Sequence, residues 1–140
     1  MKEFTNFLHS WRTHFKTREI FQILSVKRVA GPEGPIMTQL TLICFLGFHV
    51  RVHLFHRGDG EIFHDHPRHF VSLGIYGEYF ERLSTGEERF VRFGVISVRR
   101  ATDRHNVTPT NLPCMTLVFT TPVVRQWCKE TLEISIGESR

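Results

Sequence analysis

The sequence predicts an all-β fold, a sandwich or barrel, entered through one short amphipathic helix. Three observations carry this expectation. From residue 20 onward, strand-length apolar runs recur with turn signals between them; one of those runs alternates strictly; and the helical three-and-four spacing is confined to the first residues.

In chain order, Phe4, Phe7, Leu8, Trp11 and Phe15 form one face of a helix among polar Lys2, Asn6, Arg12 and Lys16, so residues 1–19 are expected to pack as a helix on the body. Residues 20–140 then make a single domain. Gly31-Pro32-Glu33-Gly34-Pro35 cannot continue a helix or a central strand and marks a loop between two strands. Strands are expected over 37–45, 48–55, 70–76, 79–83, 88–93, 95–99 and 115–119. In the second of these, Phe48, Val50, Val52 and Leu54 alternate with His49, Arg51, His53 and Phe55, leaving one face apolar and the other rich in imidazole and guanidinium. A polar lumen and a wet surface both explain that pattern. Residues 83–87 read as a turn. Gly77-Glu78 reads as a second, a tight hairpin that pairs Tyr76 with Tyr79, Gly74 with Glu81 and Ser72 with Leu83.

Composition narrows the class. The chain has 140 residues, enough for one self-supporting core, with 41% hydrophobic and 23% charged residues, 13 Phe and 10 Gly. Its formal charge of +4 is spread along the chain and interrupted by acids, which argues against nucleic acid as partner. Cys44, Cys114 and Cys128 are odd in number and lack Cys-x-x-Cys spacing, as expected of buried free thiols in a reducing cytoplasm. No signal-peptide core and no membrane-length apolar run is present, so no membrane partner is expected. The domain is expected to act alone or as a small oligomer such as a homodimer.

The most telling stretch is Gly58-Asp59-Gly60-Glu61-Ile62-Phe63-His64-Asp65-His66. On an extended segment, His64 and His66 point to the same side and can grip one divalent metal ion, and His105 supplies a third neutral nitrogen. The expected hairpin would put Tyr76, Tyr79 and Glu81 on the same side, and the small Gly74 opposite Glu81 would leave room for a ligand. Asp65 should point away from its flanking histidines. No Ser or Cys lies in a recognisable nucleophile motif.

Gly58, His64, His66 and Gly77 stand at the spacing of the first motif of the cupin superfamily, and Gly94 and His105 at that of the second. The sequence resembles cupins on this basis. It departs from them where Phe70 takes the motif glutamate position and Arg100, Thr102 and Pro109 take the Pro, Gly and Asn positions. A narrower resemblance is to a group of small cupin-like proteins of bacterial and phage genomes. It rests on His53-Leu54-Phe55-His56-Arg57, His64-Asp65-His66-Pro67, the Gly77 to Glu81 stretch with Tyr79, Arg99 to Val107, Thr116-Leu117-Val118 and Arg125-Gln126-Trp127. The resemblance implies a double-stranded β-helix, or jelly-roll barrel, and a divalent metal.

Without the motif glutamate the ion keeps three nitrogens, as resembles thiol dioxygenases. Fe(II) is then the favoured ion, ahead of Zn, Ni or Mn. Glu81, Tyr76 and Tyr79 are the candidates for acid–base work, with Glu81 able to restore a carboxylate ligand. Arg99 and His53 are the candidates for substrate contact, since a guanidinium fork matches carboxylate or phosphate. His56 and His69 are expected at the surface. The first functional reading is a mononuclear metal-dependent enzyme, dioxygenase-like, acting on a small polar or anionic molecule. Its rivals are a non-catalytic binding protein with a structural or vestigial metal, and a carbohydrate isomerase or epimerase.

Overall fold

The computed structural model describes residues 21–31, 34–58 and 62–126, so the helix expected over 1–19 lies outside the described residues, as does Cys128. Seven strands follow one another: β1 (Phe21–Gly31), β2 (Gly34–Phe45), β3 (Phe48–Phe55), β4 (Phe70–Leu83), β5 (Glu88–Val91), β6 (Ile96–Arg99) and β7 (His105–Thr120). Every pairing is antiparallel, in the order β1-β2-β3-β7-β4-β5, with β6 also on β4. The all-β expectation holds. Among the described residues no helix is long and apolar enough to cross a membrane.

Local sequence accounts for the first half. Leu46 and Gly47 both have positive φ, 48° and 82°, the backbone that a two-residue hairpin needs to match the twist of its strands. Phe45 therefore pairs with Phe48, and β3 runs over the residues expected of it.

The second half corrects the sequence reading. Gly77-Glu78 is not a hairpin, because β4 passes straight through it. The left-handed backbone is real, at φ 71° for Gly77, but it makes a bulge. Tyr76 pairs with Met115 and Glu78 with Asn111, so Gly77 alone faces Leu112, Pro113 and Cys114. A side chain at Gly77 would come within 2.4 Å of the Pro113 carbonyl oxygen. The run expected over 115–119 is accordingly only the end of a much longer β7.

The β4–β7 register shifts between Gly74 and Tyr76, between Tyr76 and Glu78 and between Glu78 and Tyr79, and the sheet bends along β4. Arg99 pairs with Phe70 at the start of β4, yet its guanidinium lies 2.7 Å from the Glu81 carboxylate on the same strand. Eleven residues of straight strand would separate the two by about 36 Å, far beyond the reach of one side chain. Strand β4 must curl back on itself, and β7, paired with it throughout, curls with it.

The curled sheet turns its polar side inward. On β3, His49 is 5% exposed and Phe48 57%, so the imidazole face lines the interior, the lumen alternative of the sequence reading. One part of the interior is apolar, where Phe55, Tyr79, Val91, Val107 and Cys114 pack with Met37 and Val95. The outer face carries Ile23, Ile43, Val50, Phe119, Val71 and Val98 in register across six strands.

Candidate metal centre

The segment after β3 is laid along the beginning of β7. His64 and His105 exchange both backbone hydrogen bonds, N–H to O at 2.9 Å each way, and the His66 N–H donates to the Ala101 carbonyl at 3.3 Å. This isolated antiparallel bridge fixes two imidazoles side by side. Alternation along the extended segment brings His66 to the same side. Ring centroids lie 4.7 Å apart for His64 and His105, 4.9 Å for His64 and His66, and 5.0 Å for His66 and His105.

One ring nitrogen from each histidine lies within 4.8 Å of the others, and the Nε2 atoms of His66 and His105 are 2.8 Å apart. Metal–nitrogen bonds of about 2.0–2.1 Å put two donors at right angles about 3 Å apart, so this pair has the spacing of neighbouring ligands on one ion. Burial, followed by the charge of His105, brings His64 down to about 3. Burial and the neighbouring His64, His105 and His53 bring His66 well below the usual imidazole range. Both rings are neutral at pH 7, the form that binds metal.

Glu81 organises the third ligand. Its Oε1 lies 2.6 Å from His105 Nδ1, while Arg99 donates from Nε to Oε1 at 3.0 Å and from Nη2 to Oε2 at 2.7 Å. Burial would raise this carboxyl, but hydrogen bonds from His105 and Arg99, with their charges, bring it down to about 2. An ionised Glu81 accepts a hydrogen bond from Nδ1–H of His105, which leaves Nε2 as the nitrogen that faces His66. The donor set thus fits a divalent ion: three converging imidazoles, one of them oriented by a buried carboxylate.

A second ion pair secures the ligand segment from behind. Asp65, between the two ligand histidines, is 1% exposed, points away from them, and accepts from Arg125 Nη1 at 2.7 Å. The same Nη1 donates to the Ala101 carbonyl at 3.2 Å. Arg68, also buried, donates to the carbonyls of Gly47 and Thr121. Sequence reasoning missed these arginines as structural ties, because nothing local distinguishes a buried arginine from a surface one.

The other candidates fall out differently. Tyr79 is 4% exposed and packs against Phe55; burial and then the Glu81 charge push its phenol up, while a hydrogen bond with Ser72 works the other way. Tyr76 is 55% exposed and lines an outer pocket with Gly77, Arg92, Phe93 and Asn111, away from the histidines. Its expected place beside the metal depended on the hairpin that is absent. Arg99, expected to meet substrate, is engaged by Glu81. Gly74, expected to leave room for a ligand, instead meets the turn after β5, where an added Cβ would lie 2.2 Å from the Arg92 carbonyl oxygen. His69 is at the surface and accepts the Ala101 N–H at Nδ1, 3.0 Å. Phe70 lies against the cluster, its ring 5.0 Å from that of His66 and 5.7 Å from that of His105. His53 projects inward, close enough for its charge to act on His66, and its Nε2 is shut off from solvent with no hydrogen-bond partner.

No protein-family model and no curated protein sequence matches this chain. Solved structures do. The Fe(II) form of HppE superimposes with a TM-score of 0.59 at 10% identity, covering 70% of this chain and 56% of HppE, so the chain spans little more than half of that protein. KdgF from Halomonas sp. matches with a TM-score of 0.58 at 18% identity, covering 70% of this chain and 87% of KdgF. An RmlC-like cupin from Shewanella frigidimarina gives 0.56 at 14% identity, with 69% and 83% covered. At these identities the likeness establishes the cupin fold, and it does not reach the narrower group of small cupin-like proteins.

Proposed function

We propose that this cupin-fold protein is a mononuclear metal-dependent enzyme acting on a small polar or anionic molecule, with His64, His66 and His105 holding the ion. The observation that carries the reading is the convergence of three imidazoles, one of them oriented by the buried Glu81–Arg99 pair. Among the described residues the cluster contains three protein donors and no fourth, the pattern of a site left open for chemistry rather than closed for structure. When bound, the ion would supply Lewis-acid or redox chemistry. An all-nitrogen set with an open side suits Fe(II) ahead of Zn, Ni or Mn, and the likeness to an Fe(II) protein supports that order.

The chain's own residues have separable tasks in this reading. Glu81 is a positioning residue, because both its oxygens are committed to Arg99 and His105. Asp65 and Arg125 hold the His64–His66 segment against Ala101. Tyr79, with its phenol pushed up by burial, stays protonated at neutral pH. That removes Tyr79 as the base of the carbohydrate isomerase reading, and the exposed Tyr76 offers no replacement, which leaves that reading a histidine base alone.

The test is the metal content of protein purified without a nickel affinity step. About one divalent ion per chain is expected, falling to near zero when His64 and His66 are both replaced by Ala. Unchanged metal in the folded double variant would remove the ligand assignment.

A further inference from the structure

Two features of the centre point to what fills its open side. The first is charge. Imidazole binds metal as a neutral ligand, so three of them leave a divalent ion with its full double charge in a buried setting, where uncompensated charge is costly. Among the described residues, Asp65 and Glu81 bring negative charge to His64. Both are already held, Asp65 by Arg125 and Glu81 by Arg99. Where a fourth ligand could project from the start of β4, the chain places the apolar ring of Phe70 against His66 and His105.

The second feature is the buried Nε2 of His53, which has no partner. A buried polar atom without a partner costs free energy in the empty protein. On β3 this imidazole faces the same interior, near enough for its charge to act on His66 but outside the ligand cluster. It is therefore placed to meet a molecule held at the ion rather than the ion itself.

We propose that the site takes a small carboxylic acid whose carboxylate supplies the fourth ligand that the described residues lack and accepts a hydrogen bond from Nε2–H of His53. This deepens the metal-enzyme reading and rests on it. Phe70 and His53 then divide the recognition. At the start of β4 Phe70 offers no carboxylate, the ligand brings one, and His53 orients its free oxygen.

The experiment loads the metal-free protein with Co(II) and follows the visible Co(II) spectrum during titration with acetate, inorganic phosphate and neutral acetamide. Acetate is expected to shift the spectrum saturably and acetamide to leave it unchanged. His53→Phe should weaken acetate binding about ten-fold or more, the scale of a hydrogen bond to a charged group, while Co(II) affinity stays within about two-fold. His53→Gln should recover part of the loss. Phe70→Glu supplies the carboxylate from the chain, so it should tighten Co(II) and abolish the acetate response. Acetate and acetamide acting alike, phosphate binding more tightly than acetate, or His53→Phe matching the parent would each overturn the proposal. Failure to take up Co(II) would remove the metal reading with it, whereas uptake without an acetate response removes this inference alone.

Discussion

Arg99 on β6, paired with Phe70 at the start of β4, and Glu81 near the end of β4 meet in a two-pronged buried ion pair with Nη2 to Oε2 at 2.7 Å. The contact closes the barrel and fixes a metal ligand at once, since Oε1 of the same carboxylate holds His105 Nδ1. Shape and chemistry are therefore coupled through one side chain.

Breaking that pair from either side should have different signatures. Arg99→Met leaves the Glu81 charge buried without its guanidinium and should cost about 3–5 kcal/mol of stability. Glu81→Gln keeps the shape but weakens the hold on His105, and metal affinity should fall about 10–100-fold. Chemical denaturation and metal-competition titration measure the two effects. A Glu81→Gln protein with parental metal affinity would show that His105 needs no carboxylate.

The Asp65–Arg125 tie predicts an effect at a distance from the ligands. Arg125→Ala should loosen the His64–His66 segment and weaken metal binding, with the barrel itself still folded. Asp65→Asn should act in the same direction, because it removes the charge that Arg125 meets. Equal metal affinity in both variants would make the tie irrelevant to the site.

Acid should destabilise the metal-free protein earlier than carboxylate titration alone would. Burial, then the charges of Arg51 and Arg68, holds His49 at about 4; burial, then Arg51, holds His53 at about 3; and His64 is at about 3. In the unfolded chain each titrates near its ordinary value of 6.5. Below that value the unfolded state takes up protons that the native state refuses, so stability falls as pH drops from about 6.5 toward 4 and 3. Glu81, at about 2 when folded, adds a further loss below its ordinary 4.5. Melting temperatures between pH 7.5 and 4 should decline steadily, and bound metal should delay the decline. A flat profile above pH 5 would show that these histidines are not shielded.

Two glycines separate the bulge from an ordinary turn. Gly77→Ala combines a disfavoured φ with a clash against the Pro113, Asn111 and Cys114 backbone, and should cost about 3 kcal/mol or more. Gly86 also has positive φ, 93°, but nothing lies within 4 Å of an added Cβ, so Gly86→Ala should cost only about 1–2 kcal/mol. Similar losses for the two would mean that the bulge is not where the barrel bends.

What the sequence by itself determined is the local part: the all-β class, the bounds of β3, the positive φ at Gly77, and the spacing of His64, His66 and His105. These follow from alternation, turn chemistry and residue type, which act over a few neighbours. Only the tertiary structure decided what Gly77 does with its left-handed backbone. A hairpin and a bulge make the same demand on that residue, and they differ only in whether β7 lies opposite. It also decided which face of β3 is inside. Apolar residues usually mark the interior, yet here Phe48 is outside and His49 within, because the interior holds a polar cluster. The Glu81–Arg99 pair was illegible for the same reason: it joins positions brought together by the curl of β4, and no local pattern records where a distant strand returns.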